Sequence, residues 1–227
     1  MSDSKAVTNI GLITGIHKEA AILQKFSGIE NSNIKCAGAN SDRAYKLASD
    51  LAVGGCEVLI SFGVAGALDP ALNPGDLIVP DQVLETNHTP YETSTDQLKS
   101  HLRSRVDIRS GSLLGSNKLI ASATEKLSQH HSTGAVAVDM ESLAVAKAAH
   151  DHKLPFLVIR AVSDTADQDL PSAVFHAIDD RGNPRIGAIL SALAKKPHEL
   201  TSLIKLAGNS NKAFETLRRV AAFGFDF

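Results

Sequence analysis

The sequence is poor in the residues that build special frameworks. Of 227 residues only Cys36 and Cys56 are cysteine, and none is tryptophan. Two cysteines cannot make a disulfide framework, and no His/Cys cluster has zinc spacing, so no metal site is expected. The two thiols are expected to be buried in a reducing cytosol. No charge sign dominates: the formal net charge is −2, which leaves no global basic field to attract nucleic acid. Long apolar runs are also missing, so no stretch reads as a membrane span. The opening MSDSKAVTNIGLITGI lacks a basic leader region, and its apolar part reads as a strand, so no secretory signal is expected. These absences predict a soluble, cytoplasmic chain.

What is present is ordinary for a globular protein: 43% apolar and 21% charged residues. Short β-branched runs alternate with longer Ala-rich helical patterns. Residues 9–16 (NIGLITGI) read as a buried first strand, and 19–27 and 41–53 as helices, the second capped by Ser41 or Asp42. CEVLISFG reads as a strand that breaks at Gly63 and Gly66, and DLIVPDQVLE as one further strand. Residues 107–115 and 135–138 read as short strands, each followed by a helix. PFLVIRAVSD is the last clear strand, and everything after Ser172 reads as helical. Residues 86–106 are the most polar and read as a surface loop with a short exposed helix. Such alternation predicts an α/β fold: a three-layer sandwich around a mixed, mostly parallel sheet. One domain over 1–227 is expected, with a helical C-terminal tail over 195–227.

Strands buried on both faces carry apolar residues, so a charge in or at the end of one must be paired or functional. Glu19 follows the first strand; alone it reads as a first-turn carboxylate favoured by the helix dipole. Arg160 interrupts FLVIRAVSD and needs a carboxylate partner, which a simple structural ion pair would supply. Asp164 falls just past that strand and could be a helix N-cap. Glu141 lies in AVDMES, where Asp139 reads as the cap and leaves Glu141 unexplained. Glu19, Glu141 and Asp164 all fall just past strand ends, where such sheets form their ligand crevice. Three carboxyl groups at one rim suit a neutral, hydroxyl-rich substrate. Gly63, Val64 and Gly66 in GVAGAL allow close backbone approach to a ligand, but the spacing is not a dinucleotide fingerprint. His17 is the only histidine beside a candidate group; His130 and His131 read as solvated loop residues.

The segments IGLITGIHKEAAIL, VLISFGVAGALDPALNPGDLIVPDQV, GSLLGSNKLI and AVAVDMESLAVAKAAHDHKLPFLVIRAVSDTAD resemble the methylthioadenosine/S-adenosylhomocysteine nucleosidases and the related purine nucleoside phosphorylases. They cover most of residues 9–168. Within that group the chain looks closest to the hopanoid-associated phosphorylases, which release adenine from adenosylhopane. VDMES in place of VEMEA, the GSLLGS segment, a short middle loop and the KKPHELTSLIKLAG tail suggest this. The resemblance implies cleavage of the N-glycosidic bond of a purine nucleoside. It makes Asp164 the general acid at purine N7, Glu19 the carboxylate that activates water, and Arg160 the group orienting Glu19. It places Glu141 on the ribose diol, Met140 against the sugar, and Leu119 and Ile120 around the base. No cofactor is implied, although phosphate could be a co-substrate. The phosphate-binding arginine and serine of the phosphorylases are replaced by Ser61 and Val64, and the base-stacking aromatic by Leu119. Lys18 and Arg43 remain as candidate phosphate ligands. A non-catalytic nucleoside-binding protein and a futalosine-type hydrolase are the alternatives.

A homo-oligomer is expected. The tail places Leu203, Leu206, Ser210, Phe214, Leu217 and Ala221 at near-helical spacing among Lys205, Lys212, Arg218 and Arg219, with Phe223, Phe225 and Phe227 beyond. That pattern suits packing on the domain or a second subunit, or a basic amphipathic segment on a membrane surface.

Overall fold

The computed structural model describes residues 9–85, 89–179 and 181–225. The elements run in the order β1 Ile10–Thr14, α1 His17–Phe26, β2 Ile34–Cys36, α2 Ser41–Val53, β3 Val58–Ala67, β4 Leu77–Ile78 and β5 Gln82–Leu84. There follow β6 Tyr91–Glu92, α3 Asp96–Arg103, β7 Ile108–Arg109, β8 Ser112–Gly115, α4 Ala123–Thr133 and β9 Ala135–Asp139. The remainder is α5 Ser142–His152, β10 Phe156–Asp164, α6 Ile186–Lys195 and α7 Leu200–Ala222. The strands form one mixed, mostly parallel sheet with the path β6-β5-β8-β9-β3-β10-β4-β7.

Alternation along the two long central strands builds the layers. On β10, Phe156, Val158 and Val162 face a core that includes Ala48 of α2 and Val145 of α5. Leu157, Ile159 and Ala161 face the opposite core, with Leu23 of α1, Leu98 of α3 and Leu217 of α7. Each strand thus feeds two apolar layers, as its period of two requires. This is the three-layer α/β sandwich the sequence predicts.

Several local expectations are corrected. β3 does not break at Gly63 and Gly66 but runs through both, since β10 pairs with it from Leu59 to Gly66. DLIVPDQVLE is two strands, not one, divided at Pro80, which has no N–H to give a ladder. Residues 107–115 likewise divide into β7 and β8 around Gly111, whose φ is +133°. The cap of α2 is Asn40, whose side chain accepts from Arg43 N at 2.9 Å; Ser41 and Asp42 lie inside the helix. The helix in the polar stretch is not an exposed one, because Leu98 and Leu102 are buried; residues 86–88 of that stretch lie outside the described residues. His130 and His131 belong to α4, and His130 Nδ1 lies 2.8 Å from Ala135 O.

The chain after Ser172 is not helical throughout: a short 3-10 turn covers Ser172–His176, and the first α-helix there, α6, starts only at Ile186. In α7 the face carrying Phe214, Leu217 and Ala221 packs into the core, whereas Leu203, Leu206 and Ser210 are half-buried. Phe225 is buried with an edge-on contact to Phe62; Phe227 lies outside the described residues. The exposed large apolar side chains are Phe175, Ile178, Ile186, Leu190, Leu200 and Ile204, among others, so they cluster on α6 and the segments flanking it. Among the described residues no helix is long and apolar enough to cross a membrane. These placements predict a split response: Leu217→Ala should cost about 2–5 kcal/mol in urea unfolding, and Ile204→Ala no more than about 0.5 kcal/mol. Equal effects would contradict the packing described.

Candidate active site

The site begins where the sheet forks. One edge of β3 pairs with β10; the other pairs with β1 from Val58 to Ser61 and then with β9 at Gly66 and Ala67. Between those two partners the β3 edge is open, and Glu19 enters there. Its Oε1 accepts from Val64 N at 2.8 Å, and its Oε2 accepts from Gly15 N at 2.9 Å and Ile16 N at 3.0 Å. Glu19 is 2% exposed. Burial raises its pKa, outweighing the opposing pull of Arg160 and the three backbone N–H groups.

Arg160 projects from β10 toward α5 and is fully buried. Its Nε donates to Asp139 Oδ2 at 2.6 Å, and its Nη2 also pairs with Asp139. Nη2 donates further to Ser61 Oγ at 2.7 Å and Ser142 Oγ at 3.1 Å, and lies 3.7 Å from Glu141 Oε2. Asp139 therefore does more than the cap expected of it: it takes the N–H and hydroxyl of Ser142 at the start of α5 while holding Arg160. Arg160 acts on Glu19 through charge rather than a hydrogen bond. Its Nη1 is buried without a hydrogen-bond partner among the described residues. A Cβ at Gly63 would lie 2.6 Å from both this nitrogen and Glu19 Oε1.

Glu141, 6% exposed, sits between the end of β9 and α5. Burial, followed by the negative charge of Asp139, pushes its pKa up to about 8. Glu19 adds to this push, and Arg160, the guanidinium that Glu19, Asp139 and Glu141 share, opposes it. A Cβ at Gly15 would approach Glu141 Oε1 to 2.8 Å.

At the end of β10 a register shift between Val162 and Asp164 turns the strand. Asp164 is thereby set over Gly66, where a Cβ would lie 3.1 Å from its Oδ2. Asp164 is a strand residue rather than a helix cap. Ser163 Oγ donates to its Oδ1 at 2.7 Å, and Lys126 Nζ donates to its Oδ2 at 2.6 Å. Lys126, in α4, is 0% exposed. Sequence reasoning missed it, because a lysine between Glu125 and Gln129 in a polar helix carries no local sign of burial.

The other candidates divide. Val64, Gly63 and Gly66 serve the carboxyl groups in this structure, by an N–H or by leaving space. Met140 and Leu119 are half-buried, and Ile120 packs in a small cluster with Leu68, Leu114, Ala135 and Val138. The His17 side chain is exposed, although its N–H donates to Gly182 O at 3.3 Å. Lys18 lies over the Phe214 ring, 3.9 Å from its centroid.

Residues 39–195 match the family model described as the phosphorylase superfamily. The chain belongs to the phosphorylase superfamily. The match starts beyond Glu19, so that residue's place rests on the geometry. Among curated superfamily relatives is a 5′-methylthioadenosine/S-adenosylhomocysteine nucleosidase of Mycobacterium tuberculosis, 27% identical over 157 residues, 51% of this chain and 62% of that protein. The chain thus spans about three fifths of that relative's length. The Streptococcus pneumoniae MTA/SAH nucleosidase in complex with 8-aminoadenine superposes with a TM-score of 0.64 at 21% identity, covering 82% of this chain and 99% of that one. A futalosine hydrolase mutant of Helicobacter pylori superposes with a TM-score of 0.61 at 18% identity, over 69% and 89%. At these identities the structural likeness is one of fold.

Two outcomes follow from the geometry. Gly63→Ala should disrupt the Glu19–Arg160 approach, detected as a lower melting temperature, whereas Gly187→Ala, in open space on α6, should not lower it. Glu141 gives the second. Its pKa is about 8 folded against an ordinary 4.5, so folding takes up a proton between those values. The stability this contributes is complete below about 4.5 and lost as pH rises through about 8. Urea unfolding of wild type should weaken over that window more steeply than that of Glu141→Gln; parallel pH profiles would contradict the shift.

Proposed function

We propose that this chain hydrolyses the N-glycosidic bond of an adenine nucleoside. The observation that carries the reading is the carboxylate arrangement at the forked sheet: Glu19 held by three N–H groups beside the unpartnered Arg160 Nη1, with Glu141 and Asp164 at neighbouring strand ends. In this reading Asp164 protonates the base, Glu19 takes the proton of the attacking water, and Arg160 keeps the buried cluster charged correctly. Glu141 holds the ribose diol with Met140 against the sugar, and Leu119 and Ile120 flank the base. Loss of a purine is eased by protonation, and a partly negative cluster binds the developing sugar cation better than the neutral ground state.

Water is the proposed acceptor. Ser61 is completely buried and engaged by Arg160 and Ser142, Val64 spends its N–H on Glu19, and Lys18 lies on Phe214. Phosphate would therefore be an alternative co-substrate at a non-standard site. The proposed location is the cytoplasm, with a nucleoside as the partner and nucleic acid as no partner.

Adenosylhopane is the proposed finer substrate. The exposed apolar residues Phe175 and Ile178 favour a lipid 5′ substituent, because they lie on the chain segment that follows the site, and Ile186 and Leu190 continue that apolar surface on α6. That segment runs from Leu170, bonded to Ala121 O, to Gly182, bonded to His17 N. The same apolar surface is proposed to serve homo-oligomer formation and peripheral membrane contact, the latter aided by Arg185, Lys195 and Lys205. A futalosine-type aglycone is the second reading, favoured by the shared fold of the Helicobacter pylori hydrolase.

Adenine release is the test, followed chromatographically in phosphate-free buffer and then with phosphate added. Wild type should release adenine without phosphate, and Asp164→Asn should lose about 100-fold or more, in the range of a general acid. Strict phosphate dependence, or near-normal turnover by Asp164→Asn, would overturn the mechanism.

A further inference from the structure

The mechanism above leaves unused a buried charge that touches one of its own residues, Asp164. Lys126 is the only buried residue of α4, and it enters the interior as a lysine rather than an apolar side chain. A buried ammonium is costly unless each of its donors is satisfied. Here all three are: Nζ donates to Asp164 Oδ2 at 2.6 Å, Thr165 O at 2.9 Å and Gln168 O at 2.9 Å. The ammonium therefore ties α4 to Asp164 and to the turn that follows β10. It has no freedom left to bind substrate.

We infer that Lys126 is a positioning residue for base protonation: it commits Asp164 Oδ2, so that the transferable proton is carried on Oδ1, and it stabilises the carboxylate left when that proton departs. The inference rests on the glycosidase reading of this site. Ser163 supports the assignment of the two oxygens. Its single hydroxyl hydrogen has two acceptors in reach, Asp164 Oδ1 at 2.7 Å and Ala65 O at 3.2 Å. It donates to Oδ1 when Asp164 is ionised and turns to Ala65 O when Oδ1 carries the proton. As the bond between sugar and base breaks, its electron pair goes to the purine and the Oδ1 proton passes to the purine nitrogen. Water adds to the sugar carbon and gives its proton to Glu19. The new carboxylate at Asp164 is met by a fixed positive charge that needs no reorganisation, the arrangement that makes electrostatic stabilisation effective. A charge-assisted bond of this kind is also stronger than a neutral one.

The test compares two leaving groups. Adenosine needs protonation of its base; 4-nitrophenyl β-D-ribofuranoside expels a stable phenolate without a proton. Lys126→Gln removes the charge while keeping donors for Thr165 O and Gln168 O. It should lower kcat for adenosine by about tenfold or more, with KM changed by less than about threefold, while nitrophenolate release changes much less. Lys126→Arg, which restores the charge, should recover part of the adenosine kcat. Nitrophenolate release doubles as the folding control; if Lys126→Gln is inactive on both substrates, the split is read instead between Lys126→Arg and Lys126→Met. Equal losses on both substrates by a variant that keeps measurable nitrophenolate release, no difference between Lys126→Arg and Lys126→Met on adenosine, or full adenosine turnover by the neutral variants, would overturn the inference. Wild type that releases neither adenine nor nitrophenolate would overturn the glycosidase reading itself, and the role of Lys126 with it.

Discussion

The structure turns on one guanidinium. Arg160 is the shared counter-charge for Asp139, Glu141 and Glu19, which come from a strand end, a strand-to-helix junction and a helix first turn. Removing one partner from such a buried set leaves an uncompensated charge, a disruption that costs about 3–5 kcal/mol. Around Arg160 the sheet is arranged accordingly. The residues beside it on β3 are Ser61, Gly63 and Ala65, small enough to let the side chain lie along the strand. Ser142 at the start of α5 supplies a further acceptor for Nη2.

The fork of the sheet turns this charge cluster into a site. Had β1 and β9 continued along β3, the Val64 N–H would have been spent in a ladder. Because the two strands part there, that N–H holds Glu19 instead, and the strand ends bring their carboxyl groups to a common rim. Asp164 joins from β10 through the register shift after Val162. Chemistry and topology are thus one feature: the polar groups the sheet leaves unpaired are those the carboxyl groups need.

Much of this was legible in the residues. The two-sided apolar character of β1, β3 and β10 marks a sheet covered on both faces, and the carboxyl groups at or beyond strand ends are the candidate site residues that the sequence singles out. What stayed hidden depended on distant partners. Asp139 reads locally as a cap, and only the fold shows that it is also Arg160's main partner. Lys126 looks like any surface lysine until α4 is seen against the end of β10. Gly63 and Gly66 read both as strand breakers and as room for a ligand; the strand runs through them, and the groups that use their space are the chain's own Glu19, Arg160 and Asp164. Pro80 and Gly111, by contrast, divide strands for local reasons, and the apolar content around them conceals the division. In the C-terminal helix the spacing identifies an apolar face, but only packing reveals that its second half is core and its first half is not.

Those spaces have a consequence of their own. Gly15, Gly63 and Gly66 each lie against one carboxyl group, Glu141, Glu19 and Asp164 respectively. The main chain therefore carries a mould of the site, with three absent methyl groups marking three acidic oxygens. Two of these glycines lie within β3, where each forgoes roughly 0.5–1 kcal/mol relative to alanine. An alanine at either position would improve the strand and spoil the mould. In such a backbone the residue least able to vary is the one with no side chain to conserve.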